Sequence, residues 1–371
     1  MNRTLCILFT ALLFCSCSGG KSSDNAAISG DTLTVETSLL TIVDCGEYTI
    51  ADVVNPWDTT QLLGKYILID RNAPQPDNLP EGIIVKVPVQ SSIVYSSVHA
   101  GAIEEIGAID AITGVCDAQY YKMSAIVDRL KSGKIMDAGN SMSPSVERIV
   151  ELSPEAILAS PFQNAGHGAI EQLHIPIIEC ADYMETTPLA RAEWIKLFGE
   201  LYGNRAAADS IYRSVASRYR DLAQSALSVS EKPTVVSEMI IDGVWYVPGG
   251  RSYAARLFAD AGADYPWSDD SSTGSLQLDF SAVYDRAHDA DIWLIKTYGT
   301  NLTLADLKAS YSLNARMKAF STGGVYASNT ATASLFEDFP FHPDLLLKEY
   351  INIFHPGLLP DSTLRYFQRV E

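Results

Sequence analysis

The stretch from Thr187 to Ser228 constrains this chain more than any other. Thr187 stands where an N-cap belongs and Pro188 at the first helical position, a strong start signal. Trp194, Leu197, Phe198, Leu201 and Tyr202 then follow the i, i+3, i+4, i+7, i+8 spacing of one buried helix face. Gly203-Asn204 interrupts the pattern. It resumes at Ala208, Ile211, Tyr212, Val215, Tyr219 and Leu222 and runs to the breaker Glu231-Lys232-Pro233. The second segment, residues 205–228, predicts a helix about 36 Å long at about 1.5 Å per residue, the span of a whole small domain. α/β-like sequence lies on both sides of it, so it reads as a spine joining two lobes.

The flanks differ in texture. From Thr32 to about Gln90, short runs rich in Val, Ile, Thr and Tyr alternate with turn chemistry at Asn55-Pro56-Trp57, Asn72-Ala73-Pro74 and Pro80-Glu81-Gly82. These predict strands that add to, or lean on, the first lobe. From Ser91 to Asp182, apolar strands alternate with helix-spaced segments such as Ala102, Ile103, Ile106 and Ile109, and Ser145 is placed to cap a helix. After the spine, residues 279–295 repeat the helix-to-strand step of residues 145–160. That alternation predicts mainly parallel sheets covered on both faces. GVWYVPGG reads as turn-rich, and His342-Pro343 and His355-Pro356 as turns of a C-terminal helical hairpin.

The N-terminus stands apart. Arg3 supplies a positive n-region, and Leu5 to Phe14 an apolar run too short to span a bilayer. Phe14-Cys15-Ser16-Cys17 and a small, polar tether follow, which resembles a bacterial lipoprotein signal with Cys17 as the lipidated residue. This reading is preferred over an ordinary secretory signal. Cys45, Cys116 and Cys180 then remain, at spacing that makes neither a disulfide framework nor a metal knuckle, and are expected to be small buried core residues. A net charge of −18 over 371 residues excludes a nucleic-acid binder, because nothing would neutralise phosphates. The expected division is therefore a signal at 1–17, a tether and β-rich extension at 18–90, and a first lobe at 91–188. A helix pair at 189–230 and a second lobe at 231–371 complete it.

VYSSVHAGAIEEIGAIDAITGV, SPSVERIVELSPEAILASP and IPIIE before the long helix, with GVWYVPGGRSYAARLFADAGADYPW, the DADIWLI strand and FHPDLLLKEY after it, carry a likeness in their order and spacing. The chain resembles the metal-chelate class of periplasmic substrate-binding proteins, which serve ABC importers of iron–siderophores, haem and vitamin B12. The resemblance runs from about Gln90 to the end. It implies two Rossmann-like α/β lobes joined by one long spanning helix, with the ligand held in the cleft between them. It also implies docking on a permease through one acidic residue on each lobe. Glu147 matches the first position. At the second, Ser281 stands where the family places a glutamate, and Asp279 is the nearby substitute.

Chelate clefts need broad apolar or stacking surface plus a few polar groups, and open α/β sheets bind ligands beyond the C-terminal ends of their strands. The 18 Tyr, 5 Trp and 12 Phe of this chain cluster after predicted strands. On the first lobe these positions are Tyr95 and His99, Tyr120 and Tyr121, Phe162 with Gln163 and Asn164, then Tyr183 and Glu185. Trp245, Tyr246, Tyr253, Trp267 and Tyr298 occupy comparable places on the second lobe, and Arg251 and Arg256 are the near arginines for a carboxylate-bearing ligand. For any one of these, packing of a loop on the core is an equal reading; the set favours an aromatic cleft. The six histidines show no zinc spacing, and no catalytic fingerprint such as GxSxG, a P-loop or HExxH occurs. The expectation is thus a non-enzymatic, monomeric, lipid-anchored protein of a bacterial cell envelope, facing the periplasm. It needs no cofactor or directly bound metal, and it delivers an iron chelate or corrinoid to an ABC permease. A scavenger serving a non-ABC partner, and more distantly a cleft hydrolase, are the alternatives.

Overall fold

A computed structural model describes residues 30–163 and 165–371. The signal segment, Cys17 and Asn164 lie outside the described residues. The spine forms as three consecutive helices. Pro188–Glu193 starts where expected, with the Thr187 hydroxyl accepting from Ala190 N–H at 3.1 Å. The chain kinks at Trp194 and continues as Ile195–Leu201. Gly203 then turns it with a φ of +72°, where a side chain would be strained and would press on Pro88. Arg205–Ala226 is the long helix, 22 residues and so about 33 Å. Gly199 permits the close packing of the last two helices, since a Cβ there would lie 2.6 Å from that of Ala208.

The first lobe contains a five-stranded parallel sheet. Its order is Ile177–Glu179, Ala156–Ala159, Ser92–Val94, Ile112–Val115 and Met136–Asp137. The second lobe pairs Val235–Ser237, Ile292–Thr297 and Val325–Asn329 in parallel and adds Gln368–Arg369 antiparallel at the edge. It also carries an antiparallel sheet of Ile240–Ile241, Val244–Pro248 and Ser275–Leu278. GVWYVPGG is therefore a strand of that sheet rather than a turn-rich segment, because Trp245 and Val247 alternate inward and are fully buried. Near the C-terminus a short helix, Leu335–Asp338, leads into the longer Pro343–Phe354, which has His342 and His355 at its two ends. Of the cysteines, Cys116 and Cys180 are buried and Cys45 is half-buried.

The extension builds a separate five-stranded sheet from Asp31 to Val87, antiparallel except for its last pair. It leans on the first lobe through Tyr66. The fully buried phenol donates to the Ile177 carbonyl at 2.9 Å and accepts from Glu179 N–H at 2.8 Å, closing the edge of the parallel sheet. Between its first strands, residues 35–39 run without a ladder and are held by two buried carboxylates. Glu193 accepts from Val35 N–H at 3.0 Å, Glu36 N–H at 2.6 Å and Thr37 N–H at 3.1 Å. Glu185 accepts from Leu39 N–H at 3.0 Å, the Ser38 hydroxyl at 2.8 Å and the Trp194 indole at 3.0 Å. Amides turned onto the core outside any ladder need such partners, and a carboxylate satisfies several at once. Glu349 holds the C-terminal segment in the same way, through the N–H groups of Arg365, Tyr366 and Phe367.

A continuous core runs through the extension, the helices and both lobes. Phe198 of the spine meets Phe341 of the second lobe at 5.8 Å between ring centroids. A helix spine on a shared core resists large hinge bending. The radius of gyration is expected to change little on ligand addition, and a fall of several ångströms in solution scattering would overturn that.

A second strap between the lobes titrates. His342 Nε2 and Glu105 Oε2 lie 2.7 Å apart. Burial pulls the imidazole pKa down, but the Glu105 carboxylate, helped by Asp344 and Asp338, outweighs it and leaves the pKa raised. A raised folded value means the pair's contribution is complete below the ordinary value of 6.5 and is lost as pH rises through the raised one. Melting curves at mildly acid and alkaline pH are expected to show His342→Gln as destabilising only at the acid end. Equal loss at both ends would rule out the charged pair.

Candidate ligand-binding cleft

The C-terminal ends of the first lobe's parallel strands open onto a cavity of about 560 Å3. Tyr95, Ser96 and Ser97 follow the central strand, and Asp117, Tyr120 and Tyr121 its neighbour. Ser160 and Phe162 follow the third, and His167 comes from the loop beyond. Parallel strands end together at one sheet edge, which is why residues distant in sequence converge here. Tyr120 and Phe162 are exposed, and Tyr121 is buried, its hydroxyl donating to the Val94 carbonyl at 3.1 Å. Tyr298 of the second lobe is 66% exposed and meets Tyr120 edge-on at 6.4 Å, so aromatic surface faces the opening from both lobes.

The wall carries specific polar atoms. The Tyr95 hydroxyl is buried and makes no hydrogen bond, and burial pushes its pKa well up, which keeps it a neutral donor. Asp117 accepts from Asn140 Nδ2 at 3.0 Å and Ser141 N–H at 3.1 Å, fixing the neighbouring loop. His167 Nε2 pairs with Glu179 Oε1 at 2.7 Å. That hydrogen bond raises the imidazole pKa against the opposing effect of burial. His167 was missed in the sequence because it lies in a glycine-rich loop with no strand signal beside it.

Several expected site residues lie elsewhere. His99 is 1% exposed and bonds Asp182 at 2.8 Å, on the face of its helix that packs on Phe198. Burial would raise the Asp182 pKa, but His99 and Arg191 together hold it below the ordinary carboxylate range. Trp245 is fully buried, stacked on Trp293 at 5.4 Å, and Trp267 is buried beside Tyr265. Both follow the inward side of their segments, which aromatic content does not reveal. Half-buried Tyr253 packs on Arg191 and Phe339, and Tyr183 donates to the Pro161 carbonyl at 2.6 Å outside the cavity wall. Exposed Tyr246 lies on the antiparallel sheet, and Gln163 is exposed beside the wall without lining it. Glu185 belongs to the clamp on the extension. Arg251 and Arg256 line a different cavity with Thr187 and Lys232, and Arg256 pairs with Asp260 at 2.9 Å.

Glu147 is exposed in the first turn of Val146–Leu152, and Asp279 is exposed as the N-cap of Phe280–Ala287. Among the described residues, no group of three or more His, Cys, Asp or Glu side chains is placed to hold a metal ion, and no helix is long and apolar enough to cross a membrane.

Two α/β lobes on a helical spine, with an aromatic, hydroxyl-rich cavity at the strand ends of the first, are the architecture of a binding protein. The chain belongs to the periplasmic binding protein family, whose profile matches residues 93–330. An uncharacterized lipoprotein of Methanocaldococcus jannaschii is 28% identical over 251 residues, and the match covers 62% of this chain and 59% of that relative's length. An uncharacterized ABC transporter substrate-binding lipoprotein of Bacillus subtilis is 23% identical over 239 residues, covering 63% of this chain and 68% of that protein. The crystal structure of a periplasmic heme binding protein from Pseudomonas aeruginosa superposes with a TM-score of 0.59 at 15% identity, over 76% of this chain and 98% of that one. That likeness shows a shared fold.

Proposed function

We propose that this protein is a lipid-anchored substrate-binding protein that captures a metal chelate, an iron–siderophore, haem or corrinoid, and presents it to an ABC importer. The observation that carries the reading is the cavity of about 560 Å3 at the strand ends, walled by Tyr95, Tyr120 and Phe162 and faced by Tyr298. A pocket of that volume and aromatic content suits a large, lobed or planar ligand. Membership of the family and the names of its relatives support an importer as the partner, and Cys17 is the proposed anchor. Calorimetry of the soluble domain against ferric siderophores, haemin and cobalamin tests the capture; silence from all of them would reject it.

Docking is the second half of the proposal. Glu147 on the first lobe and Asp279 on the second are exposed carboxylates suited to arginines of a permease. Each spends one oxygen locally, Asp279 accepting from Ala282 N–H at 2.8 Å and Glu147 from the Ser145 hydroxyl at 3.2 Å, which leaves the other free for an arginine. Glu147→Arg is expected to reduce uptake in cells by at least about tenfold with chelate affinity unchanged. Unchanged uptake would favour a scavenger that serves a different partner.

A further inference from the structure

We infer that the cleft selects by charge: its occupant enters the first lobe with a face that is rich in carbonyl-type acceptors and carries no net negative charge. This inference rests on the chelate reading above and narrows it. Among the described residues, no lysine or arginine lines the cavity. Arg148, two residues from the lining Val146, is exposed and donates to the Asp137 backbone carbonyl, and the other bases around the cleft are matched with carboxylates. Lys122 lies 3.8 Å from Glu337 and donates to the Thr330 carbonyl, Lys296 bonds Glu238, and Arg191 bonds Asp182 at 3.1 Å. His167 is the one lining side chain that can become cationic, and Glu179 at 2.7 Å cancels its charge. Asp117 adds a carboxylate to the wall, in a chain of net charge −18.

An anionic ligand entering this cavity would lose hydration without meeting an unmatched positive charge, and nearby carboxylates would repel it. Hydrogen-bond donors, by contrast, are plentiful. The buried Tyr95 hydroxyl has no partner, and Ser96, Ser97, Ser143 and Ser160 add hydroxyl-bearing side chains to the same cavity wall. Each of these donates well to a neutral hydroxamate or amide carbonyl. A buried phenol left without an acceptor is costly, and a ligand carbonyl placed on Tyr95 removes that cost.

The test compares ligands that share a metal centre and differ in charge. One pair is ferrioxamine B, a cation, with its N-succinyl derivative, an anion; the other is cyanocobalamin with a monocarboxylic acid made by hydrolysing one side-chain amide. Titration of the full mature chain is expected to show the anionic member binding at least about tenfold more weakly in whichever pair binds. Ser143→Arg, which places a base on the rim, is expected to narrow that difference, and Tyr95→Phe to weaken the neutral or cationic member. Equal or tighter binding of the anionic member would overturn the charge inference and leave the chelate reading standing. So would tight binding of ferric citrate or haemin with no binding of either pair. Silence from every chelate would instead overturn both.

Discussion

Glu193→Ala is expected to cost about 3–5 kcal/mol of folding stability, the usual effect of removing one partner from a buried charged network. The side chain is fully buried and accepts three backbone N–H bonds from residues 35–37, and Lys196 Nζ lies 2.7 Å away. Alanine removes the shared acceptor of those N–H groups and leaves the Lys196 ammonium only the Leu33 carbonyl, at 2.7 Å. Glu193→Gln keeps one acceptor oxygen and the shape, and so is expected to lose less. Urea unfolding measures the difference, and limited proteolysis between residues 30 and 40 reports whether the extension detaches. A loss under about 1 kcal/mol, the value of a single ordinary hydrogen bond, would show that the extension is not held by this carboxylate.

The second large effect concerns the cleft. Removing both facing rings, Tyr120→Ala with Tyr298→Ala, is expected to weaken chelate binding about a hundredfold, in line with truncation of two aromatic anchors at about 1–2 kcal/mol each. Both rings are exposed, so folding stability is expected to stay within about 0.5 kcal/mol of the parent. That separation makes the result informative. Affinity within a factor of two of the parent, in a folded double variant, would place the ligand elsewhere.

The comparison of sequence with structure turns on particular residues. Thr187, Pro188 and the i, i+3, i+4 pattern after them were legible because a helix writes its buried face into local periodicity. The kink at Trp194 and the end of the long helix at Ala226 differ from the expected boundaries by a few residues, since final turns respond to packing. Tyr95, Tyr120, Tyr121 and Phe162 converge on one wall because each follows a strand of the same parallel sheet, a relation visible from strand order. His99, Trp245 and Trp267 follow the same rule of position yet are buried. Which face of a helix or strand turns inward depends on what stands opposite it, here Asp182 and Phe198 for His99 and Trp293 for Trp245. Glu185 and Glu193 show the converse. They look like solvated charges in sequence, and only the distant backbone of residues 35–39 explains their burial.

By itself, then, the sequence determined the two-lobed α/β class, the helical spine and the family likeness, because these rest on patterns that repeat within ten or twenty residues. Tertiary structure alone decided which aromatic side chains face the cleft, that His167 rather than His99 joins them, and that no unmatched positive charge lines the wall. It also decided how the extension is fastened. Those outcomes depend on pairs such as Tyr120 with Tyr298 and Val35 with Glu193, more than a hundred residues apart, where local propensity carries no information about the partner.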